Sequence, residues 1–207
     1  MFERALADVD RRLSAAGLSR IMHTVTRIRV VSEESFHDSR NNSIGLNPAD
    51  VRKPYAAFHN RRYLIVHELG HHFAEQFLGR ADQRAGAAGH AGTAGRRARL
   101  QALRGVFGDY DAPYRRLPKP RSADADHVSR YAMTHPAEDF AETFAVTLWR
   151  LWDRPGVEAL LRGKSACCRA KVRVMQRLLR SSLGPSLKPS PRPSLRSSGS
   201  GRAPRRA

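Results

Sequence analysis

Two histidines and a glutamate in the middle of the chain have the types and spacing of a zinc site. His67, Glu68 and His71 form the pattern H-E-x-x-H. On a helix, side chains four residues apart leave the same face with their Cβ atoms roughly 5–6 Å apart, so both imidazoles can reach one Zn²⁺. Glu68 lies one step round the helix, where its carboxylate can take a proton from a water activated by the metal. The pattern predicts a metal site with a general base beside it.

Two carboxylates further along the chain can complete such a site. Glu138 and Glu142 are also four residues apart, in a segment that is otherwise mostly apolar. Because like charges at this spacing destabilise an isolated helix, they indicate a shared cationic partner. A catalytic zinc site needs a third protein ligand and one open position. We expect Glu138 to bind the metal and Glu142 to accept a hydrogen bond from a ligand histidine; the alternative is that Glu142 is the ligand.

The order of the motifs carries further information. The H-E-x-x-H segment is followed by Phe107-Gly108-Asp109, then by Tyr131-Ala132, then by the block H-P-x-E-D-F-A-E-T at residues 135–143. In this order the chain resembles the bacterial zinc-binding metallopeptidases of the gluzincin type, over about residues 20–180. Many members carry a cysteine-rich ribbon ahead of the peptidase part, and no cysteine precedes it in this chain.

The resemblance implies a role for each residue of the site. It implies one Zn²⁺ per chain, bound by His67, His71 and Glu138, with Glu68 as the catalytic base. Tyr131 lies seven residues before Glu138, where similar gluzincins place a tyrosine that stabilises the oxyanion. The family order also favours Glu138 over Glu142 as the metal ligand.

Other polar residues near the motifs are expected to have structural roles. His72 points about 100° away from His71 on a helix and is expected at the surface or in a minor contact. His135 is expected to cap a helix, and Asp139 either supports the site or pairs with an arginine. The adjacent pair Cys167-Cys168 is expected to be inert, because neighbouring cysteines seldom form an unstrained disulfide.

Apolar periodicity places both motifs on helices. The first helix is predicted from Asn60 to Leu78, ended by Gly79, and the second from His135-Pro136 through Trp152, stopping before Pro155-Gly156. Three further helices are predicted over 2–16, where Gly17 ends the helix, over 98–106 and over 165–183. Two strands are predicted over 24–31 and 43–46, and in the first of them Ile28 and Val30 are expected on the buried side.

Composition limits the class of protein and locates its charge. Apolar residues make up 41% of the 207 residues and the net charge is +18, which is typical of a folded chain with a strong basic bias. Thirteen Lys and Arg lie in residues 162–206, and no acidic residue follows Glu158. We expect a folded domain over 1–183 with a flexible insertion at 80–99, and a disordered basic Ser/Pro/Arg tail over 184–207.

The first sixteen residues carry no secretory apolar core, and no apolar run reaches the roughly 18 residues that a membrane span needs. A cytoplasmic protein that does not contact membranes is therefore expected.

Together these features predict an α+β, zincin-like fold in which a small, mostly antiparallel sheet packs against the H-E-x-x-H helix. A second helix delivers Glu138, and the strand Ser43–Leu46 is expected at the sheet edge, aligning an extended peptide above the cleft. The predicted function is zinc-dependent hydrolysis of peptide bonds in a peptide or protein substrate. The alternative is a non-catalytic zinc site in a protein whose basic tail binds nucleic acid or an acidic partner; that tail has no aromatic residue for base stacking.

Overall fold

The structure is a computed structural model that describes residues 2–52, 56–79, 101–109 and 125–183. The predicted insertion at 80–99 and the basic tail at 184–207 lie outside these residues. The described helices are α1 (Glu3–Ala15), α2 (Ser19–His23), α3 (Arg61–Phe73), α4 (described over 101–107), α5 (Pro136–Trp149), α6 (Arg154–Arg162) and α7 (Ala166–Leu183). The predicted α+β class is confirmed.

The sheet has three strands, β1 (Arg27–Val30), β2 (Phe36–Asp38) and β3 (Ser43–Leu46), in the order β1-β3-β2. It is mixed, since β3 pairs parallel with β1 and antiparallel with β2. The prediction that Ser43–Leu46 is an edge strand is wrong: β3 is central and its four residues are buried. Its main-chain groups bond to strands on both sides, so β3 cannot align a peptide. The predicted burial of Val30 is also wrong, because this edge-strand side chain is 58% exposed.

Local capping explains where the central helices begin. The Asn60 side chain accepts a hydrogen bond from the Arg62 N–H at 2.9 Å and starts α3. His135 caps α5 in the same way, accepting from the Ala137 N–H at 3.0 Å, as predicted. α3 continues directly into a π-helix, Ala74–Gly79.

The helix predicted to run through Trp152 ends three residues earlier, and a further helix follows it. α5 ends at Trp149, and α6 begins after a turn. Asp153 caps α6 by accepting a hydrogen bond from the Gly156 N–H at 2.8 Å, with Pro155 in the first turn. Pro155-Gly156 therefore lies inside the start of a helix, where proline is well tolerated. The sequence pattern did not predict α6, α2 or β2.

Helices α3 and α5 form the centre of the molecule. Every residue from Ala137 to Trp149 is buried, because α5 has α3 on one side and α7 on another. The ring of Phe73 on α3 lies 5.2 Å from that of Phe144 on α5. One apolar core runs from Phe2 in the N-terminal segment to Leu179 in α7. Among the described helices, none combines the length and the apolar character that a membrane crossing requires.

Candidate metal centre

Three side chains from α3 and α5 converge where the helices cross. Glu138 Oε2 lies 3.2 Å from His67 Nε2 and 3.4 Å from His71 Nε2. One ligand atom from each of the three residues lies within 4.8 Å of the others. The side chains of His67 and Glu138 are each 6% exposed and that of His71 is 14% exposed, so the group is nearly enclosed and His71 is its most open member.

Glu142, a second glutamate of α5, orients the His67 ring through its Nδ1 atom. Glu142 Oε1 accepts a hydrogen bond from His67 Nδ1–H at 2.9 Å, since an ionised carboxylate can only accept. Its second oxygen accepts from the Ala57 N–H at 3.2 Å. These bonds direct His67 Nε2 toward Glu138 and His71. Glu142 thus has the position expected for the carboxylate that bonds to a ligand histidine, and Glu138 has the position expected for the ligand.

The two carboxylates determine the charge of the group. Burial alone would lower the pKa of His67, but its hydrogen bonds to Glu138 and Glu142 and their charges raise that pKa well above 6.5. Burial would raise the pKa of Glu138, yet His71 and His67 hold it well below 4.5. Burial and the charge of Glu142 raise the pKa of Tyr63 well above 10.0, so this phenol stays neutral. The carboxylates therefore favour a positive charge at this position, and a bound cation would supply one.

Glu68 and Tyr131 line a small cavity beside the group. Its volume is about 30 Å³, and His67, Tyr63 and Glu142 contribute to the same wall. A space of this size holds a water molecule. Glu68 is buried, and the ring of Tyr131 lies 5.5 Å from the ring of His67. The structure brings all of the sequence-predicted site residues to one place.

The prediction that His72 lies at the surface is wrong. Its side chain is fully buried, with Nε2 2.8 Å from Thr24 Oγ1 and Nδ1 3.0 Å from His37 Nε2. Burial lowers the pKa of His72 to about 4, so it is a neutral hydrogen-bonding group that ties α3 to β2. The signal was present, because Ile65, Leu69 and His72 follow an i, i+4, i+7 stripe that faces the core.

The remaining polar residues take structural positions. Asp139 Oδ2 accepts a hydrogen bond from Lys171 Nζ at 2.7 Å, in a buried pair between α5 and α7; the partner is a lysine rather than the arginine considered above. Burial raises the pKa of Asp139 despite Lys171. Cys168 is buried, which raises its pKa to about 11, while Cys167 is exposed.

Two contributors to the site went unpredicted. Tyr63 precedes His67 by four residues on the same face of α3, so helical spacing could have identified it. The Ala57 N–H belongs to a loop, and no sequence pattern indicates that its backbone reaches Glu142.

Comparison with known proteins assigns the segment that carries this site. Residues 60–154 match the model of a family described as "putative zinc-binding metallo-peptidase". The match contains the H-E-x-x-H helix, Tyr131, Glu138 and Glu142. No curated protein and no solved structure matches the chain. Residues 60–154, a little under half of the chain, are therefore similar to a family of zinc-binding metallo-peptidases.

Proposed function

We propose that this protein is a zinc-dependent peptidase that hydrolyses peptide bonds with Glu68 as the general base. The observation that carries the proposal is the convergence of His67, His71 and Glu138 from two helices, beside a cavity lined by Glu68. A metal site with only a structural role would not require a buried carboxylate such as Glu68 beside a water-sized cavity next to the ligands.

The donor set fits zinc. Two imidazole nitrogens and one carboxylate oxygen form the three-ligand set of many catalytic zinc sites. The hydrogen bond from His67 Nδ1–H to Glu142 fixes the tautomer in which Nε2 is free to bind a metal. His67, His71 and Glu138 would hold the ion; when bound, zinc would acidify a water and polarise the scissile carbonyl.

The chain's own groups supply the proton transfers. Glu68 would take the proton of the attacking water and pass it to the leaving amine as the C–N bond breaks. Tyr131, on the same cavity wall, would donate its phenolic hydrogen to the developing oxyanion. Glu142 would keep His67 oriented throughout, supported by the Ala57 N–H.

The test compares wild type with Glu68→Gln. The variant loses the base and keeps the three ligands, so we expect bound zinc to be unchanged and turnover to fall by about 10²–10⁴-fold. Bound zinc is measured by elemental analysis, and turnover by mass spectrometry of new termini in a peptide library. Glu158→Gln serves as the control, because this partly exposed residue on α6 pairs with Arg150 and lies away from the cavity.

Full activity of Glu68→Gln would refute the mechanism. If zinc-loaded wild type cleaves nothing, the non-catalytic alternative is favoured. Glu138→Ala and His71→Ala, assayed alongside, are expected to lose the metal itself. An unchanged zinc stoichiometry in either variant would remove that residue from the ligand set.

A further inference from the structure

We infer that the peptidase selects acidic peptides, because a basic cleft adjoins the cavity that Glu68 lines. This inference rests on the proposed function and names its substrate class. The cleft has a volume of about 630 Å³ and lies between the start of α1, the 3₁₀-helix Pro48–Arg52 and the start of α3. It is a separate depression, far larger than the water-sized cavity.

Arginine dominates the lining of the cleft. Arg4, Arg52, Arg61 and Arg62 contribute, against one acidic residue, Glu3. Arg62 is already engaged, with its Nε 2.6 Å from Asp8 Oδ2. The other three side chains are exposed and form no ion pair or hydrogen bond with any residue in the described ranges. Three arginines in one concave surface, without carboxylates of their own, favour an anionic occupant.

The geometry connects the cleft to the catalytic cavity. Val51 and Asn60 line both, so the two spaces meet at the beginning of α3. Asn60 precedes His67 by seven residues, roughly 10 Å along a helix axis at about 1.5 Å per residue. An extended peptide advances about 3.3 Å per residue, so this distance corresponds to about three residues. The arginines are thus positioned to contact substrate side chains three to five residues from the cleaved bond.

The position at a helix start adds to the preference. The thirteen-residue helix α3 directs the positive end of its dipole toward this cleft. An aspartate or glutamate side chain offers the carboxylate that guanidinium groups bind best. Because the cleft shares Val51 and Asn60 with the cavity that Glu68 lines, a peptide carrying such side chains is the occupant that the arrangement favours.

Binding is measured with zinc-loaded Glu68→Gln, which holds a substrate without cleaving it. Two rhodamine-labelled peptides are compared, identical except that three glutamates near one end of the first are glutamines in the second. We expect the acidic peptide to bind about tenfold more tightly at low ionic strength, because several exposed ion pairs each add a modest increment to affinity. High salt should reduce the difference.

Charge-reversal variants distinguish binding by the cleft from general attraction to the positive charge of the protein. The double substitution Arg52→Glu/Arg61→Glu, made in the Glu68→Gln background, should bring the affinities for the two peptides to within about twofold of each other. Arg173→Glu with Arg177→Glu changes the net charge equally on α7, whose residues do not line the cleft, and should keep the preference. The inference would be overturned if both variants lost the preference for the acidic peptide equally, or if the Glu68→Gln protein showed no such preference. Cleft-dependent binding of a single-stranded oligonucleotide that displaces the acidic peptide would overturn it too, and would assign the cleft to nucleic acid.

The peptide library tests the same inference under turnover. New termini made by wild type should be enriched in Asp and Glu three to five residues from the cleavage point, and the Arg52→Glu/Arg61→Glu variant should lose that enrichment. Cleavage without enrichment would refute acidic selection and leave the peptidase proposal standing. Absence of cleavage would refute the peptidase proposal, while the binding comparison would still report on the cleft.

Discussion

Glu142 acts on the candidate metal centre through a histidine. Its two oxygens accept from His67 Nδ1–H and from the Ala57 N–H, so the imidazole has one orientation available to it. A carboxylate behind a ligand histidine also raises the basicity of the imidazole. The precision of the site therefore depends on a residue that the geometry keeps away from the convergence point.

Replacing Glu142 with Gln tests this dependence. The amide keeps one acceptor but loses the charge, and its NH₂ group would face a backbone donor. We expect zinc affinity to fall about 10–100-fold with the fold retained, measured by competition with a chromogenic chelator. Glu158→Gln is the matched control and should bind zinc like wild type. Unchanged affinity in Glu142→Gln would show that the hydrogen bond does not orient the ligand.

Helical spacing was sufficient to predict that His67 and His71 share a face. The choice of Glu138 over Glu142 came from the resemblance to the metallopeptidase family and not from spacing. Spacing was not sufficient for His72, which was placed by its angle from His71 alone. Its burial depends on Thr24 and His37, whose polar atoms satisfy both ring nitrogens. Sequence spacing reports the direction of a side chain, while the availability of partners in other elements decides whether a polar group is buried there.

Helices α3 and α5 approach closely because Gly70, one of the two unspecified positions of H-E-x-x-H, has no side chain. A Cβ at Gly70 would lie 3.0 Å from Ala141 Cα and 3.2 Å from Ala141 O. Both are backbone atoms of α5, which cannot rotate away. The separation of the two ligand-bearing helices is therefore set at this contact.

Gly70→Ala should separate the helices. Alanine normally stabilises a helix interior by about 1 kcal/mol relative to glycine, but overpacking against backbone costs about 1–3 kcal/mol. We expect a lower free energy of unfolding in urea and weaker zinc binding. Gly105→Ala on α4 is the matched control, since a Cβ there meets nothing within 4 Å, and it should be neutral or stabilising. Equal stabilisation by both substitutions would contradict the role given to the contact.

The elements missed in the sequence analysis share a cause. β2 has three residues and α2 has five, too few for a periodic pattern to stand out. α6 was hidden by Pro155-Gly156, a pair typical of a turn that here follows an N-cap. β3 is the central strand because it pairs in parallel with β1, although β2 lies between these two strands in the sequence. No local sequence pattern encodes such a long-range pairing.

The N-terminal helix is joined to the rest of the molecule through Asp8. Its carboxylate accepts from Trp152 Nε1–H at 2.8 Å and pairs with Arg62 at 2.6 Å, and it also contacts Arg11. One side chain thus connects α1, the start of α3 and the turn between α5 and α6. Burial would raise the pKa of Asp8, but the Trp152 hydrogen bond and the arginines lower it overall.

Asp8→Asn should therefore destabilise the protein in a pH-dependent way. A pKa lowered below the ordinary 3.8 means that the ionised form stabilises the fold above about pH 4 and that this contribution is lost as pH falls through the folded-state pKa. We expect a loss of about 1–3 kcal/mol near neutral pH, shrinking toward pH 3, from urea unfolding across the pH range. Asp10→Asn on the same helix, which removes the exposed pair with His23, should cost much less. A pH-independent difference for Asp8→Asn would refute the role of the charge.

The Gly70–Ala141 contact also limits how this protein can be re-engineered. The space at Gly70 is too small for a side chain against the Ala141 backbone, so replacing the imidazoles with other donors would leave the separation of the two helices as it is. Accommodating a larger ion, such as a lanthanide, would require redesigning the interface between α3 and α5, including the Phe73 and Phe144 rings that pack there.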